Sequence, residues 1–268
     1  MVKKAIIPAA GYGTRSLPIT KVIPKEMFPI GVKPAIQYVV EEALESGIEH
    51  ILIIVSRSKS LIVDYFDESL ELETFLERSN KKHLMSKLQI PKNQIHYTRQ
   101  PYAKGLGDAV RLGETFVGNE PFAVLLPDDI IVSDKKHGLK ELIDVYEEYG
   151  SSVIGLKEVE EQFLHKYGVI NGVKRKNGIY KIKDIVEKPK QNAPSRMAVV
   201  GRYVLQPSIF SYLKNISPGA GGEIQLTDAI KKLIHAEECY GKVIKGDRYD
   251  IGNVSDYIDL VNIMKSEE

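Results

Sequence analysis

Ala5-Ile6-Ile7-Pro8-Ala9-Ala10-Gly11-Tyr12-Gly13-Thr14-Arg15, continued by Pro18, Thr20, Pro24-Lys25-Glu26 and Pro29, decides how the rest of the chain is read. A short apolar strand runs straight into a loop of small residues, then a basic residue, then a proline-punctuated segment carrying a lysine. Glycine at 11 and 13 lets the backbone take φ > 0 and brings its N–H groups close to an anion. Arg15 and Lys25 add the charges that glycine lacks. Two glycines after a first strand also describe an ordinary tight turn. Thr14-Arg15 and Pro24-Lys25 on the same loop turn the reading toward phosphate.

Working outward, Lys4 to Ala9 is a buried strand, short and bounded by Pro and Gly. From Pro34 the period changes: Ile36, Val39, Val40, Ala43 and Leu44 fall on one helix face, with Pro34 in the first turn and Gly47 as the C-terminal cap. Ile51 to Val55 is apolar throughout and reads as a strand buried on both faces. Strand, helix, strand with short links is a βαβ unit and a parallel sheet. Residues 58–93 are charged and helical in tendency, a peripheral excursion. Strands at Gln94–Thr98 and Phe122–Leu126 follow, with helices at Asp108–Phe116 and Leu139–Tyr149. Beyond Ser152 strands dominate (153–156, 168–170, 179–186, 198–205 and about 242–245), with helices at 207–213, 224–236 and from about Val254. The expected fold is a Rossmann-like α/β domain, 1–268, with a mixed, mainly parallel sheet flanked by helices and β-insertions in its C-terminal half. A nucleotide-binding half (about 1–135) would precede a sugar-phosphate half (about 136–268).

The chain has 268 residues, 43% hydrophobic, and a net charge of +1, so no global field points to nucleic acid or membrane. Anionic ligands must be held by local charges. One cysteine, Cys239, excludes an internal disulfide framework and suits a reducing compartment. The six histidines, at 50, 83, 96, 137, 165 and 235, show no metal-ligand spacing. No apolar run is long enough for a membrane span or a signal peptide core, and a cytoplasmic protein is expected.

In open α/β sheets ligands bind outside the C-terminal ends of the strands. The loops there contain Gly11–Arg15, Arg99–Gly107 and Asp128-Asp129, a combination that fits a nucleotide and a divalent cation. Asp128 and Asp129 could cap the next segment; alternatively one of them holds Mg²⁺ together with a second carboxylate, for which Asp250 is a candidate. Glu187-Lys188-Pro189 is either an exposed strand end or an acceptor for sugar hydroxyls beside a cation for phosphate. Gly219 to Glu223 is, at its plainest, a loop before a helix.

These residues resemble the sugar-1-phosphate nucleotidylyltransferase family. Gly11-Tyr12-Gly13-Thr14-Arg15…Pro18…Thr20…Pro24-Lys25-Glu26…Pro29 is similar to its signature. Ala103-Lys104-Gly105-Leu106-Gly107, Val186-Glu187-Lys188-Pro189 and Gly221-Gly222-Glu223-Ile224-Gln225-Leu226-Thr227-Asp228-Ala229 resemble its bacterial uridylyl-transferring members, in the family's order over nearly the whole chain. The resemblance implies transfer of the uridylyl group of UTP to α-D-glucose 1-phosphate, giving UDP-glucose and pyrophosphate, with Mg²⁺ and in a homo-oligomer (dimer or tetramer). It implies that Ala10, Gly11, Gly13 and Thr14 bind the nucleotide and that Arg15 and Lys25 contact its triphosphate. Gln100 would read the uracil edge, with Gly105 packed against the nucleotide. Asp128 and Asp250 would hold Mg²⁺. Gly168, Glu187, Gly201 and Glu223 would line the glucose, and Lys188 would hold its phosphate. Related enzymes vary at the position of Asp129, residues 58–93 carry no transferable motif, and Ser16 stands where larger residues are common.

The attacking sugar phosphate is already ionised, so no Ser, Cys or His nucleophile is needed, and none stands out. Rival readings are the same chemistry with dTTP or another sugar 1-phosphate, a glycosyltransferase with an Asp-x-Asp metal motif, and a sensor that has lost catalysis. The glycosyltransferase would leave the Lys25 loop no pyrophosphate to serve, and Lys25, Lys188, Asp128 and Asp250 argue against the sensor. An NAD-binding fold is the weakest, since Ser16 stands where the third glycine belongs.

Overall fold

The computed structural model describes residues 1–88, 94–133 and 138–265. The opening strand is β1 (Lys4–Ala9), inside a nine-stranded sheet. After a ribbon of β2 (Pro29–Ile30) and β3 (Lys33–Pro34), the chain enters α1 (Ala35–Glu45), whose buried face is the expected Ile36, Val39, Val40 and Ala43. Gly47, at φ +95°, ends the helix. Its N–H donates to Leu44 O at 2.9 Å and that of Ile48 to Ala43 O at 3.1 Å, which satisfies two terminal carbonyls.

β4 (His50–Val55) pairs in parallel with β1. The stretch read as peripheral holds α2 (Ser60–Phe66) and α3 (Leu70–Arg78), and its residues 89–93 lie outside the described ones. It is anchored more firmly than its charge suggests, because Ile62 and Phe66 are buried in the core. β5 (Ile95–Arg99) then pairs with β4. The single helix expected at 108–116 is two, α4 (Leu106–Arg111) and α5 (Glu114–Val117), broken at Gly113, which packs against Ile6 with no room for a side chain. β6 (Phe122–Leu125) returns to the other side of β1, again parallel.

Side chains of β1 alternate between two cores. Ala5, Ile7 and Ala9 face one with Ile51, Ile53 and Leu125, while Ile6 faces the other with Leu52, Ile54 and Val124. Burial on both faces is why these strands read as unbroken apolar runs. Past β7 (Asp129–Val132) come α6 (Gly138–Tyr149), β8 (Ser152–Glu158), β9 (Gly168–Lys174), β10 (Ile179–Glu187) and β11 (Met197–Leu205). The chain closes with α7 (Ile209–Lys214), α8 (Leu226–Ala236), β12 (Cys239–Val243), β13 (Asp247–Asp250) and α9 (Val254–Lys265). The sheet order is β5-β4-β1-β6-β11-β8-β12-β10-β9. It is parallel from β5 to β6 and again between β8 and β12, and antiparallel elsewhere. α1, α6 and α9 cover one face; α4, α7 and α8 cover the other.

Three features place the site. From β1 the chain moves to β4 and β5 on one side and comes back to β6 on the other, the kind of switch point beside which ligands bind in open α/β sheets. β7 and β13 form a two-stranded ribbon that sets Asp250 opposite Asp129. β11 carries an irregularity against β8 between Val199 and Tyr203, and such a bulge re-aims side chains. Gly201 and Arg202 lie in it.

Candidate active site

The loop after β1 is shaped by Gly13, in the left-handed region at φ +66°. Thr20 Oγ1 donates to Gly13 O at 2.8 Å, clasping the two ends of the turn. Ala10 is buried under the loop, whereas Gly11, Thr14 and Arg15 are exposed, and open space lies where a Gly11 Cβ would stand. Arg15 donates from Nη1 to Asp250 Oδ2 at 2.8 Å and from Nη2 to Asp250 Oδ1 at 3.2 Å, and Nη2 lies 3.9 Å from Asp128 Oδ2. Lys25 Nζ donates to the same Asp128 oxygen. Two cations from the β1 loop therefore meet two carboxylates from the β6 end and from β13. Gly252 is needed here because a Cβ on it would stand 2.5 Å from Arg15 Nη2.

The charges reinforce one another. The hydrogen bond to Asp250 raises the Arg15 pKa. Burial opposes the Lys25 charge, but Asp128 and Glu26 outweigh it and hold the ammonium above its ordinary pKa. Burial likewise opposes the Asp128 charge, and Lys25 more than offsets it, keeping that carboxyl below its usual range. Asp129 behaves differently. It is buried, and its Oδ2 accepts from Gly201 N–H at 2.8 Å while Oδ1 accepts from Arg248 Nη2. Burial pushes its pKa up, and the neighbouring Asp128 and Asp250 add to this against the pull of Arg248. Asp129 is thus tied into the scaffold, while Asp128 and Asp250 face the cations.

The sugar-side candidates gather around the β9–β10 edge. Glu187 is 3.4 Å from Lys188 Nζ, and a Cβ at Gly168 would stand 3.3 Å from Glu187 Oε2. Lys188 is exposed at φ +45°, and its N–H donates to Tyr167 O at 2.9 Å. Tyr167 also accepts from Arg248 Nη1 at 2.9 Å, which joins this edge to Asp129. Gly201 is buried, and a Cβ there would meet Asp129 Oδ2 and Leu126 Cβ at 2.6 Å, so its missing side chain serves Asp129. On the nucleotide side, a Cβ at Gly105 would meet Ile224 O at 2.6 Å. The glycine is required by the 223–225 segment, which bonds to the loop through Ile224 N–H to Lys104 O at 2.7 Å and Gly107 N–H to Ile224 O at 2.8 Å. Glu223 is exposed beside that junction and accepts from Gln225 Nε2 at 3.1 Å.

A model of the nucleotidyl transferase family matches residues 4–267. The chain belongs to this family. Among similar proteins, a Bacillus subtilis nucleotidyl transferase provisionally named UTP–glucose-1-phosphate uridylyltransferase is 58% identical over 100% of this chain and 99% of its own. The UTP–glucose-1-phosphate uridylyltransferase of Staphylococcus epidermidis is 52% identical over 94% of this chain and 88% of its own. A UDP-glucose pyrophosphorylase solved in complex with UDP-glucose superposes with a TM-score of 0.89 at 45% identity, covering 100% of both chains.

Several side-chain pairings of this nucleotidyl transferase escaped the sequence reading. Glu26, next to Lys25, forms a buried pair with Lys59 at 2.7 Å and so pins the Lys25 turn to the segment after β4. Lys59 and Ser58 face Tyr12, Thr14, Thr20 and Pro24 across a cleft of about 530 Å³. Arg202 is fully buried, and Glu42 of α1 pairs with it. Its guanidinium also donates to Leu126 O, Gly201 O and Asp129 O at 3.2, 3.1 and 2.8 Å, which fixes the turn bearing Asp128. For Glu42 and Arg202 the signal was a charged residue on an otherwise apolar helix face or strand, which names no partner; Glu26 and Lys59 lie in turns and gave no such signal. Among the described residues no three His, Cys, Asp or Glu side chains gather as a metal cluster.

Proposed function

We propose that this nucleotidyl transferase carries the uridylyl group of UTP to α-D-glucose 1-phosphate, giving UDP-glucose and pyrophosphate. The observation that carries the reading is the meeting of Arg15 and Lys25 with Asp128 and Asp250 where the loops after β1 and β6 come together. It is a place for charged phosphates, supplied with cations, and among the described residues it brings together no nucleophile–base pair for covalent catalysis. The acceptor needs none. A phosphate oxygen of the sugar phosphate forms a bond to the α-phosphorus of UTP in line, the bond to the β-phosphate oxygen breaks, and pyrophosphate departs with the electron pair. The work of the protein is to hold two repelling anions together and to offset charge as it builds.

In this proposal the backbones of Ala10, Gly11, Gly13 and Thr14 cradle the nucleotide, Gln100 reads its base, and Gly105 lets the loop close beside it. Arg15 and Lys25 lie against the triphosphate, with Lys25 stabilising charge on the α-phosphate and the leaving group. Gly168, Glu187 and Glu223 line the glucose, Lys188 orients the attacking phosphate, and Gly201 stands behind them holding Asp129. Asp128 and Asp250 fit a divalent cation, Mg²⁺ in this reading. They are hard oxygen donors brought to one guanidinium, and Mg²⁺ commonly takes few protein ligands and completes its shell with water and phosphate. When bound, the metal supplies positive charge at the phosphate oxygens. Pyrophosphate release across a matrix of nucleoside triphosphates and sugar 1-phosphates tests the assignment. UTP with glucose 1-phosphate is expected to give the highest kcat/KM, and a different best pair would overturn it.

A further inference from the structure

Gln100 follows the last residue of β5, and its N–H donates to Val55 O at 2.9 Å, extending the ladder to β4 by one rung. Its side chain is buried at 3% exposure, yet the amide is fully oriented. Nε2 donates to Asp108 Oδ2 at 2.8 Å and to Gly105 O at 3.3 Å. Both partners are acceptors only, one an ionised carboxylate and the other a main-chain carbonyl. An amide turned the other way would set Oε1 against two oxygens, so the chemistry of the neighbours fixes the flip. Asp108 is itself held from behind, since Arg111 Nη2 donates to its Oδ1 at 2.7 Å. Burial works against the Asp108 charge, but the bonds from Gln100 and Arg111 outweigh it and keep the carboxyl below its ordinary range. It therefore stays an acceptor at neutral pH. Among the described residues no protein group donates to Gln100 Oε1, which is the one hydrogen-bonding atom the side chain has left.

We propose that Asp108, on α4, sets the choice of pyrimidine: with Gly105 O it engages both amide hydrogens of Gln100, so that only the acceptor Oε1 faces the base. Uracil and thymine present an N–H at ring position 3 and satisfy that acceptor. Cytosine presents a lone pair there, and two acceptors face each other across a buried contact. The inference rests on the reading in which Gln100 meets the base. Asp108 touches no substrate; it is a positioning residue that acts through Gln100. The device separates uracil from cytosine and leaves uracil and thymine alike.

The test compares the wild type with Asp108→Asn, which can turn a donor toward Gln100, and Asp108→Leu, which removes the acceptor. For each, kcat/KM is measured with UTP and with CTP on one preparation, so that any unfolded fraction cancels in the ratio. The wild type is expected to favour UTP by about 10²-fold or more, as sites built around a substrate N–H do. Both variants are expected to lower that ratio at least tenfold, mainly through a higher KM for UTP. Arg111→Met, which leaves the acceptor in place, is expected to keep the ratio within about threefold of wild type. A UTP-to-CTP ratio preserved in both Asp108 variants would overturn the inference. Calorimetric titration with UDP and CDP separates this outcome from failure of the reaction itself. If the wild type releases no pyrophosphate from UTP and glucose 1-phosphate, the parent reading falls, and the binding ratio still decides. A UDP preference lost in the Asp108 variants supports the inference, and equal binding of UDP and CDP by the wild type refutes it.

Discussion

Glu42→Gln changes one side-chain atom and is expected to cost about 3–5 kcal/mol, because it leaves the Arg202 charge buried without its counter-charge. Arg202 is 0% exposed and Glu42 5%. Nε lies 3.0 and 3.1 Å from the two Glu42 oxygens, Nη2 lies 2.7 Å from Oε2, and Leu139 N–H donates to Oε1 at 2.9 Å. A glutamine there keeps one acceptor and turns an NH₂ toward the guanidinium or toward Leu139 N–H, and either arrangement opposes donor to donor. A cavity of about 130 Å³ touches the pair, and water entering it sets the lower end of the range. For 268 residues, an unfolding entropy of about 2.1 cal/mol/K per residue converts this cost to a Tm lowered by roughly 5–9 °C. Urea unfolding followed by circular dichroism should show a lower midpoint at unchanged slope. Because Arg202 also holds the carbonyls of Leu126 and Asp129, kcat should fall well below the transition, where the variant is still folded. A loss under about 1 kcal/mol would refute the reasoning, since an exposed pair is worth no more.

Lys25→Ala is expected to lower kcat by roughly 10²–10³ with the fold retained, as loss of one preorganised donor does; near-wild-type turnover would remove Lys25 from the chemistry. Asp128→Asn should require far more Mg²⁺ for half-maximal activity, and an unchanged Mg²⁺ titration would leave Asp128 a capping residue. Gly252→Ala should displace the Arg15 guanidinium from Asp250 and raise KM for UTP on the order of tenfold. Its Tm should change little, because the atom displaced is the end of a flexible side chain. The Asp108 carboxyl is held below its unfolded value, so its stabilising bonds persist above the unfolded pKa and are lost as pH falls through the folded one. The UDP-over-CDP binding preference should therefore stay flat from pH 8 to pH 5 and decay only in stronger acid; a decay centred above pH 5 would contradict this.

Where apolar periodicity governs, the sequence is legible. The β1–α1–β4 unit follows its pattern to the Gly47 cap, because strands buried on both faces and a helix buried on one leave unmistakable spacings. Short ribbons are not legible in this way. β7 and β13 are four residues each, and only their long-range pairing, Asp129 opposite Asp250, brings Asp250 to the Asp128 turn. Arg15, Lys25, Asp128 and Asp250 were expected to share a site, and they do touch; Gly105 was expected against the nucleotide and Gly201 against the glucose, and protein fills both Cβ positions. Glu42 lies on a helix read from its apolar face alone, and its partner Arg202 stands 160 positions later, a separation no local pattern spans. Lys59, at the start of a charged stretch taken as peripheral, proves to be buried against Glu26.

Ile224 exchanges two main-chain bonds with the Lys104–Gly107 loop, and the glycines at 105 and 107 let it come that close. The consequence concerns modularity. In the proposed function the Gln100 loop serves the nucleotide and the segment around Glu223 the sugar, and Ile224 splices the two together. Grafting a foreign 217–225 segment to change the sugar would also reset the loop beside Gln100. A redesign of either specificity has to treat Ile224, Gly105 and Gly107 as one unit.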